Sequence, residues 1–376
     1  MELLLSTLHI VRVDVGQLNM PFSQPIKTPI GSLDAARNVV VKITTNTGSY
    51  GWGEGSPMEQ ITGDSQSSNY AMAKKMAALL IGKDPLAINA RMSELNALTV
   101  GDSSVRSAFD IALHDLAAKT ANMPLYQYLG GQRRELRTNM TIGMQDTVEQ
   151  TRLRTRALLD AGFDAIKLKV GRPGLADVAH VAAVRELAGP DVSIKIDSNQ
   201  GWDYPTAVNN LRAMAGLNLQ YSEQPLPVWD YDNLVRLRRT VDLPLCADES
   251  VFTHHDALKL VKAGAVDYLN IKLGKAGGIC TGLKINAIAE AAGIKCMIGC
   301  FGESRLGLSA AAHLAMARPN ITFLDLDSAC YFNSDPVLGG MQYDKTAGGL
   351  LHIADTPGLG AEIDPAHVAE PWYVEL

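Results

Sequence analysis

Six charged residues carry the chemistry that can be read from this chain: Lys167, Lys169, Asp197, Glu223, Asp248 and Lys272. In "IKLKVG", residues 166–171, strand alternation puts Ile166, Leu168 and Val170 on one side and Lys167 and Lys169 on the other. Lysine is almost never fully buried without a partner, so two ammonium groups directed into a protein need acceptors. The next charged strand ends follow at intervals of 28 (197 − 169), 26 (223 − 197), 25 (248 − 223) and 24 (272 − 248) residues. If one strand–helix unit fills each interval, these side chains converge on one mouth. Three carboxylates from adjacent strands make a hard oxygen site, suited to Mg²⁺, with Mn²⁺ as a substitute, more than to zinc. A lysine stands on each side of them.

Such a set can remove a proton next to a carboxylate. A substrate carboxylate bound to Mg²⁺ has its α-proton acidified, because the metal stabilises the enediolate charge as it develops. A lysine base working near neutral pH needs a lowered pKa, and Mg²⁺, Lys167 and partial burial all act in that direction. Two lysines on opposite faces, Lys169 and Lys272, allow removal from one face and return on the other, which inverts a stereocentre. Taken singly, each residue has a plainer reading. An Asp at a strand end, as in "ADES" (247–250), is more often an N-cap or turn residue, "YSEQP" can be a pre-proline turn, and alternating lysines usually mark a solvated edge strand. Together those readings weaken, since crowded like charges repel unless a cation lies between them.

The elements that must position these groups recur in one rhythm from residue 139 onward. Strands are predicted at 139–142, 165–169, 193–197, 220–223, 245–248, 268–272, 295–298 and 321–325. Each is followed by an amphipathic helix, and Gly162, Gly189, Gly216, Gly264 and Gly293 stand where a left-handed helix end favours glycine. Pro205 suits a first helical turn. Eight strands alternating with helices predict a closed parallel α/β barrel, whose active site lies at the C-terminal strand ends. A doubly wound open sheet fits less well, because no GxGxxG follows a strand in the right place.

Residues before the barrel differ in kind. Residues 38–55 read as a hairpin turning at Asn46-Thr47-Gly48, and three helical patterns follow between about 66 and 121. The expected organisation is an α+β capping domain over 1–126, a barrel domain holding the active site over 127–350, and a segment, 351–376, that returns to the cap. "MELLLSTLHIVRV" reads as a first strand, since Glu2 sits where a signal peptide is positive.

Composition narrows the class. A net charge of −6 offers no basic surface for nucleic acid, and no Lys/Arg run suggests a membrane patch. No uncharged apolar stretch reaches the roughly 18 residues of a membrane span. The five cysteines form no CxxC pair, and Cys296 and Cys300 lack metal-spaced partners, so reduced thiols in a cytoplasmic protein are expected.

The motifs "IKLKVG", "KIDSNQGW", "SEQP", "ADES" and "NIKLGKAGG", in this order and at barrel spacing, resemble the enolase superfamily in its muconate lactonising subgroup. The resemblance covers nearly the whole chain and implies a modified TIM barrel, (β/α)7β, under an α+β cap. "DLD" at 325–327 and "GESRLGLSAAAH" are similar to dipeptide epimerases of the L-Ala-D/L-Glu epimerase family. By that resemblance Asp197, Glu223 and Asp248 bind Mg²⁺, and Lys169 and Lys272 are the acid/base pair. Lys167 binds the substrate carboxylate, with Asn199 and Glu303 in support behind the site.

Substrate choice rests on Asp325 and Asp327, whose alternation places both on one face if the strand continues, and which suit a free α-ammonium group. Thr141, Phe301, Gly302 and Gly31 complete the candidate substrate contacts. No histidine ends the seventh strand, which disfavours the histidine-dependent acid-sugar branch, and His313 reads as a packed side chain. Epimerases acting on Ala-Glu are expected to carry an arginine in the first capping loop, where "KTPIGSL" has Gly31. Gly302 stands where a bulkier residue would fill the pocket. An apolar or otherwise non-acidic Ala-X dipeptide is therefore expected, with "PIKTPIGSL" and "EQITGD" as the lid. The rival activities are N-acylamino acid racemase, o-succinylbenzoate synthase and muconate-type cycloisomerase; a rival of another class is a non-catalytic metal- or ligand-binding barrel. Assembly into a homo-oligomer is a base-rate expectation only.

Overall fold

The structure, a computed structural model, describes residues 8–376; the start of the strand expected at "MELLLSTLHIVRV", residues 1–7, lies outside the described residues. Eight strands form one sheet in sequence order: Met140–Ile142, Ala165–Lys169, Ser193–Asp197, Ser222–Glu223, Leu245–Ala247, Tyr268–Ile271, Lys295–Gly299 and Ile321–Asp325. Every neighbouring pair is parallel. The Asn139 N–H donates to Leu324 O at 3.3 Å, which brings the first strand round to the last in a nearly closed barrel. An α-helix follows each of the first seven strands, whereas the eighth leads into one 3-10 turn, Ser328–Tyr331.

Strand alternation sorts the side chains. Ile166, Leu168, Ile194 and Ile196 join the main core with Val181, Val184 and Leu211 of the surrounding helices. Each such burial contributes about 2 kcal/mol. The opposite face of the same strands is left to Lys167, Lys169, Lys195 and Asp197. Local signals set the helix ends: Asp203 accepts the Thr206 N–H at 2.9 Å and Pro205 lies in the first turn of helix Tyr204–Ala213. Gly216 departs from expectation. It lies inside the 3-10 turn Ala215–Leu217, and Asn218, at φ 49°, takes the left-handed position, which asparagine tolerates.

The cap is an antiparallel sheet in the order Val368–Glu375, Ile10–Thr28, Gly31–Thr45, Tyr50–Gly55. Helices Gln66–Leu80, Ile88–Leu98 and Ser103–Thr120 cover one face, joining Val13, Val39 and Val41 to Met76, Leu80, Phe109 and Leu113. The expected hairpin is present, but its first strand begins earlier, at Gly31, and pairs on its other side with the 19-residue strand Ile10–Thr28 in a second hairpin. That second hairpin turns at Pro29-Ile30 over the barrel mouth, where Pro29 rests on Gly171. A Cβ at Gly171 would lie 2.7 Å from Pro29 Cγ and 2.9 Å from Ser198 O, and its φ is +122°, so only glycine fits.

Cap and barrel are joined by buried polar contacts. The Glu54 carboxylate accepts the Ser304 N–H (2.9 Å), the Ser304 hydroxyl (2.6 Å), the Gly307 N–H (2.9 Å) and the Asn38 amide (2.6 Å). Asn38 also donates to Gly302 O at 2.7 Å. His313 packs as expected: it stacks on Tyr126, accepts the Tyr126 N–H at Nδ1, and burial pushes its pKa down to about 4. No helix among the described residues is long and apolar enough to cross a membrane.

Candidate active site

The barrel register sets the site. Lys169 lies beside Asp197, and Asp197 beside Glu223, in consecutive parallel strands. Asp248 and Lys272 directly follow the fifth and sixth strands. Lys169 on the second strand and Lys272 after the sixth are four strands apart in a ring of eight, so they approach from opposite sides, with the three carboxylates on the arc between. Asp197, Glu223 and Asp248 are fully buried.

The lysines answer to these carboxylates. Lys167 Nζ lies 2.9 Å from Asp197 Oδ2, 2.9 Å from Glu223 Oε2 and 2.8 Å from Asp325 Oδ2. Burial alone would lower its pKa, but these three carboxylates outweigh it and hold it well above the usual lysine value. Lys169 Nζ donates to Asp197 Oδ2 and Asn199 Oδ1, both at 2.7 Å. Lys272 Nζ lies 2.8 Å from Asp248 Oδ2 and over the Phe301 ring at 4.6 Å; burial opposes its charge, and Asp248 holds its pKa up. Burial would raise Asp197, but Lys167 and Lys169 keep it low. Glu223 has less relief: burial and the charge of Asp197 push it up to about 7.

The donor set suits a small hard cation. Glu223 Oε2 and Asp248 Oδ2 are buried and lie at ion-pair distance from lysines, yet neither receives a well-directed hydrogen bond from the described residues. Oxygen acceptors left so, crowded with a third carboxylate, fit a divalent ion. Asn199 donates its backbone N–H to Asp197 Oδ1 (2.9 Å) and its amide to Glu249 (3.0 Å), but it lines the cavity beside Lys169 and does not stand behind the site as expected. Glu303 faces elsewhere: its carboxylate accepts the Phe301 N–H at 2.5 Å and shapes the seventh loop.

A cavity of about 80 Å³ opens between the two lysines. Lys167, Lys169, Lys272, Thr141, Phe301, Asp325 and Asp327 all line it, with Phe22, Ile26, Thr28, Ile30, Leu33, Met58 and Ile61 from the cap. Asp325 is already engaged, by Lys167 and by the Asn139 amide at 2.6 Å. Asp327 accepts the Thr141 N–H at 2.7 Å and, more loosely, the Tyr331 hydroxyl at 3.3 Å; burial and the Asp325 charge push it up to about 6. Two expected contacts are not brought in. Gly31 sits exposed at the hairpin tip with nothing within 4 Å of a Cβ, and its neighbours Ile30 and Leu33 face the cavity instead. Gly302 packs on the cap, where a Cβ would come 2.8 Å from Ala36 Cβ, so its small size serves domain contact.

Sequence reasoning passed over several residues. Lys275 is fully buried against Asp248, and its only signal was its place three residues after Lys272 in "NIKLGKAGG". Lys195, two residues before Asp197, points into the barrel below the site, over the Tyr221 ring at 5.4 Å, and strand alternation could have found it. Of the apolar cap residues, Ile26, Ile30, Leu33 and Ile61 carried no signal beyond lying in the two suggested lid segments, and Phe22 and Met58 lie outside both.

Barrel, cap and converging charges define an enzyme of the enolase superfamily. The chain belongs to the mandelate racemase/muconate lactonizing enzyme family: residues 10–130 match its N-terminal domain and residues 150–367 the enolase C-terminal domain-like model. It is 37% identical to the L-Ala-D/L-Glu epimerase of Bacillus subtilis, over 94% of this chain and 96% of that protein. It is also 37% identical to a hydrophobic dipeptide epimerase of Enterococcus faecalis, over 94% of this chain and 99% of that protein. A crystal structure of the Cytophaga hutchinsonii dipeptide epimerase, complexed with Mg and D-Ala-L-Val, superposes with a TM-score of 0.94 at 34% identity, over 98% of this chain and 100% of that one.

Proposed function

We propose that this protein is a Mg²⁺-dependent dipeptide epimerase, also served by Mn²⁺, that inverts the α-carbon of a C-terminal residue with an apolar side chain. Residues 127–350 form the catalytic unit in this reading, and 1–126 with 351–376 the cap. The observation that carries it is the make-up of the cavity between Lys169 and Lys272. Asp325 and Asp327 stand together in its wall, beside Thr141, and a carboxylate pair supports capture of a free α-ammonium group. Phe22, Ile26, Ile30, Leu33, Met58 and Ile61 supply an apolar wall from the cap. The cations of the cap near this wall are paired elsewhere: Lys27 with Asp146 at 3.0 Å and Arg37 with Asp34 at 3.1 Å. An acidic side chain would be buried there without a partner, while an apolar one gains about 25 cal/mol per Å² covered.

Asp197, Glu223 and Asp248 hold the cation, which supplies positive charge to the substrate carboxylate and acidifies the α-proton. Lys167 Nζ, placed among the carboxylates at the cavity floor, binds that carboxylate. Lys169 Nζ takes the proton from one face and Lys272 Nζ delivers one to the other, with the roles reversed for the opposite diastereomer. The hairpin 25–33 and the segment 59–64 keep water out.

The test is a library of L,L-dipeptides incubated with the enzyme and Mg²⁺ in D₂O, read by mass for one incorporated deuterium. Ala-X dipeptides with apolar X should outrank Ala-Glu in kcat/KM. Incorporation confined to Ala-Glu and Ala-Asp reverses the specificity. Exchange only in N-acylated amino acids moves the activity to a racemase.

A further inference from the structure

Lys275 is the most enclosed cation near the site, and no step of the reaction uses it. Its side chain has no exposed surface. Nζ donates to Asp248 Oδ1 at 2.6 Å, to Asp248 O at 2.5 Å and to Asn270 O at 3.1 Å, so all three ammonium hydrogens are spent. Lys272 and Lys275 belong to one helical turn: Lys272 is the N-cap of Leu273–Ala276, and the Lys275 N–H donates to Lys272 O. From that turn they divide one carboxylate, Lys275 on Oδ1 and Lys272 on Oδ2. They differ in what else they reach. Lys272 lines the cavity, and Lys275 does not.

We infer that Lys275 is a positioning residue that clamps Asp248 through Oδ1, so that only Oδ2 is offered to the cation, and thereby sets the site's preference for Mg²⁺ over larger divalent ions. The inference rests on the reading of Asp197, Glu223 and Asp248 as the cation ligands. Oδ1, occupied by an ammonium held at three points, is closed to an ion, whereas Oδ2 shares only the single contact with Lys272. Mg²⁺ demands near-octahedral geometry at short distances, and one-oxygen carboxylate ligation suits it. Ca²⁺ accepts more ligands and two-oxygen carboxylates. Freeing Oδ1 therefore opens a two-oxygen mode that favours Ca²⁺ more than Mg²⁺.

The experiment is calorimetric titration of the metal-free full-length protein with MgCl₂ and with CaCl₂, for wild type and Lys275→Met, alongside a crystal structure of the wild type with Mg²⁺. The expected result is that the Mg²⁺/Ca²⁺ ratio of affinities falls at least tenfold in K275M. A general loosening of the fold would weaken both ions alike and leave the ratio unchanged, and that result overturns the inference. Should K275M fail to fold, the wild-type crystal structure decides: Lys275 Nζ still on Oδ1, with Lys272 off Oδ2, supports the clamp, and a Lys275 withdrawn from Asp248 overturns it. Wild-type protein that binds neither ion overturns the metal site as well, which separates the two failures.

Discussion

Lys169 and Lys272 each hold a different member of the carboxylate array, Asp197 Oδ2 at 2.7 Å and Asp248 Oδ2 at 2.8 Å, from opposite sides of one cavity. Each has its own anchor, so removing one leaves the other in place. Lys169→Ala and Lys272→Ala should each lower epimerisation by about 10³-fold or more, in line with loss of a positioned acid/base group. Each variant should still exchange the α-proton of one diastereomer with solvent. Deuterium incorporation followed by NMR on both diastereomers is the measurement, and near wild-type epimerisation by either variant would falsify the two-base scheme.

Removing the cation should stop turnover. Three buried carboxylates with two under-served oxygens are the reason, and treatment with a chelator followed by Mg²⁺ add-back is the assay. Mg²⁺ at about a hundredfold over its Kd should also stabilise the fold by about 2.7 kcal/mol, visible as a rise in Tm. Full activity in metal-free protein contradicts the enediolate route.

Asp327 predicts an acid limb in the pH profile. Its carboxyl is pushed up to about 6 by burial and by Asp325, so below that pH it is neutral and cannot pair with an ammonium group. kcat/KM should therefore fall about tenfold per pH unit below about 6, and Asp327→Asn should lose activity at pH 8 mainly through KM. The sign for stability is opposite. A carboxyl raised above its unfolded value binds its proton more tightly when folded, so the wild type loses stability as pH rises from about 4 to about 6. That loss is on the order of 2–3 kcal/mol, and D327N should escape it. Thermal melts of both proteins across pH 4–8 check this; parallel curves would refute it.

Glu54 ties the cap to the seventh barrel loop through Asn38, Ser304 and Gly307. Glu54→Ala leaves the buried Ser304 and Gly307 donors without this acceptor and should cost about 3 kcal/mol, lowering Tm by roughly 4 °C. Glu362→Ala, which removes only a half-buried contact from the Tyr50 hydroxyl, should cost far less. Calorimetry on the two variants is the comparison, and equal losses would remove the latch.

Much of this site was legible because a barrel strand is short and its charged end is isolated among apolar residues. Asp197, Glu223 and Asp248 each end such a run, and their spacing matches one strand–helix unit. Lys275 escaped because it lies on a helical turn, where position three counts as a neighbour only once Lys272 is known to cap that turn. The apolar wall escaped for another reason. Ile26, Ile30 and Leu33 reach the cavity because two long cap strands carry their hairpin across a domain boundary, and no local pattern encodes that distance. Gly31 and Gly302 show the converse, since nearness in sequence to a pocket residue does not place a residue in the pocket.

One interior strand of the cap sheet has a history that its final shape hides. Ile10–Thr28 is flanked on one side by Gly31–Thr45, made directly after it, and on the other by Val368–Glu375, whose Glu375 is 363 residues from its partner Arg12. At about 5–20 residues per second, that second flank reaches the ribosome's exit roughly 20–70 s after the first. Throughout that interval the backbone donors and acceptors on that side of residues 12–18 stay open to any other nascent chain. The whole barrel must be synthesised before the edge is shielded, so yield during expression should depend on chaperone supply and translation speed more than on the stability of the finished enzyme.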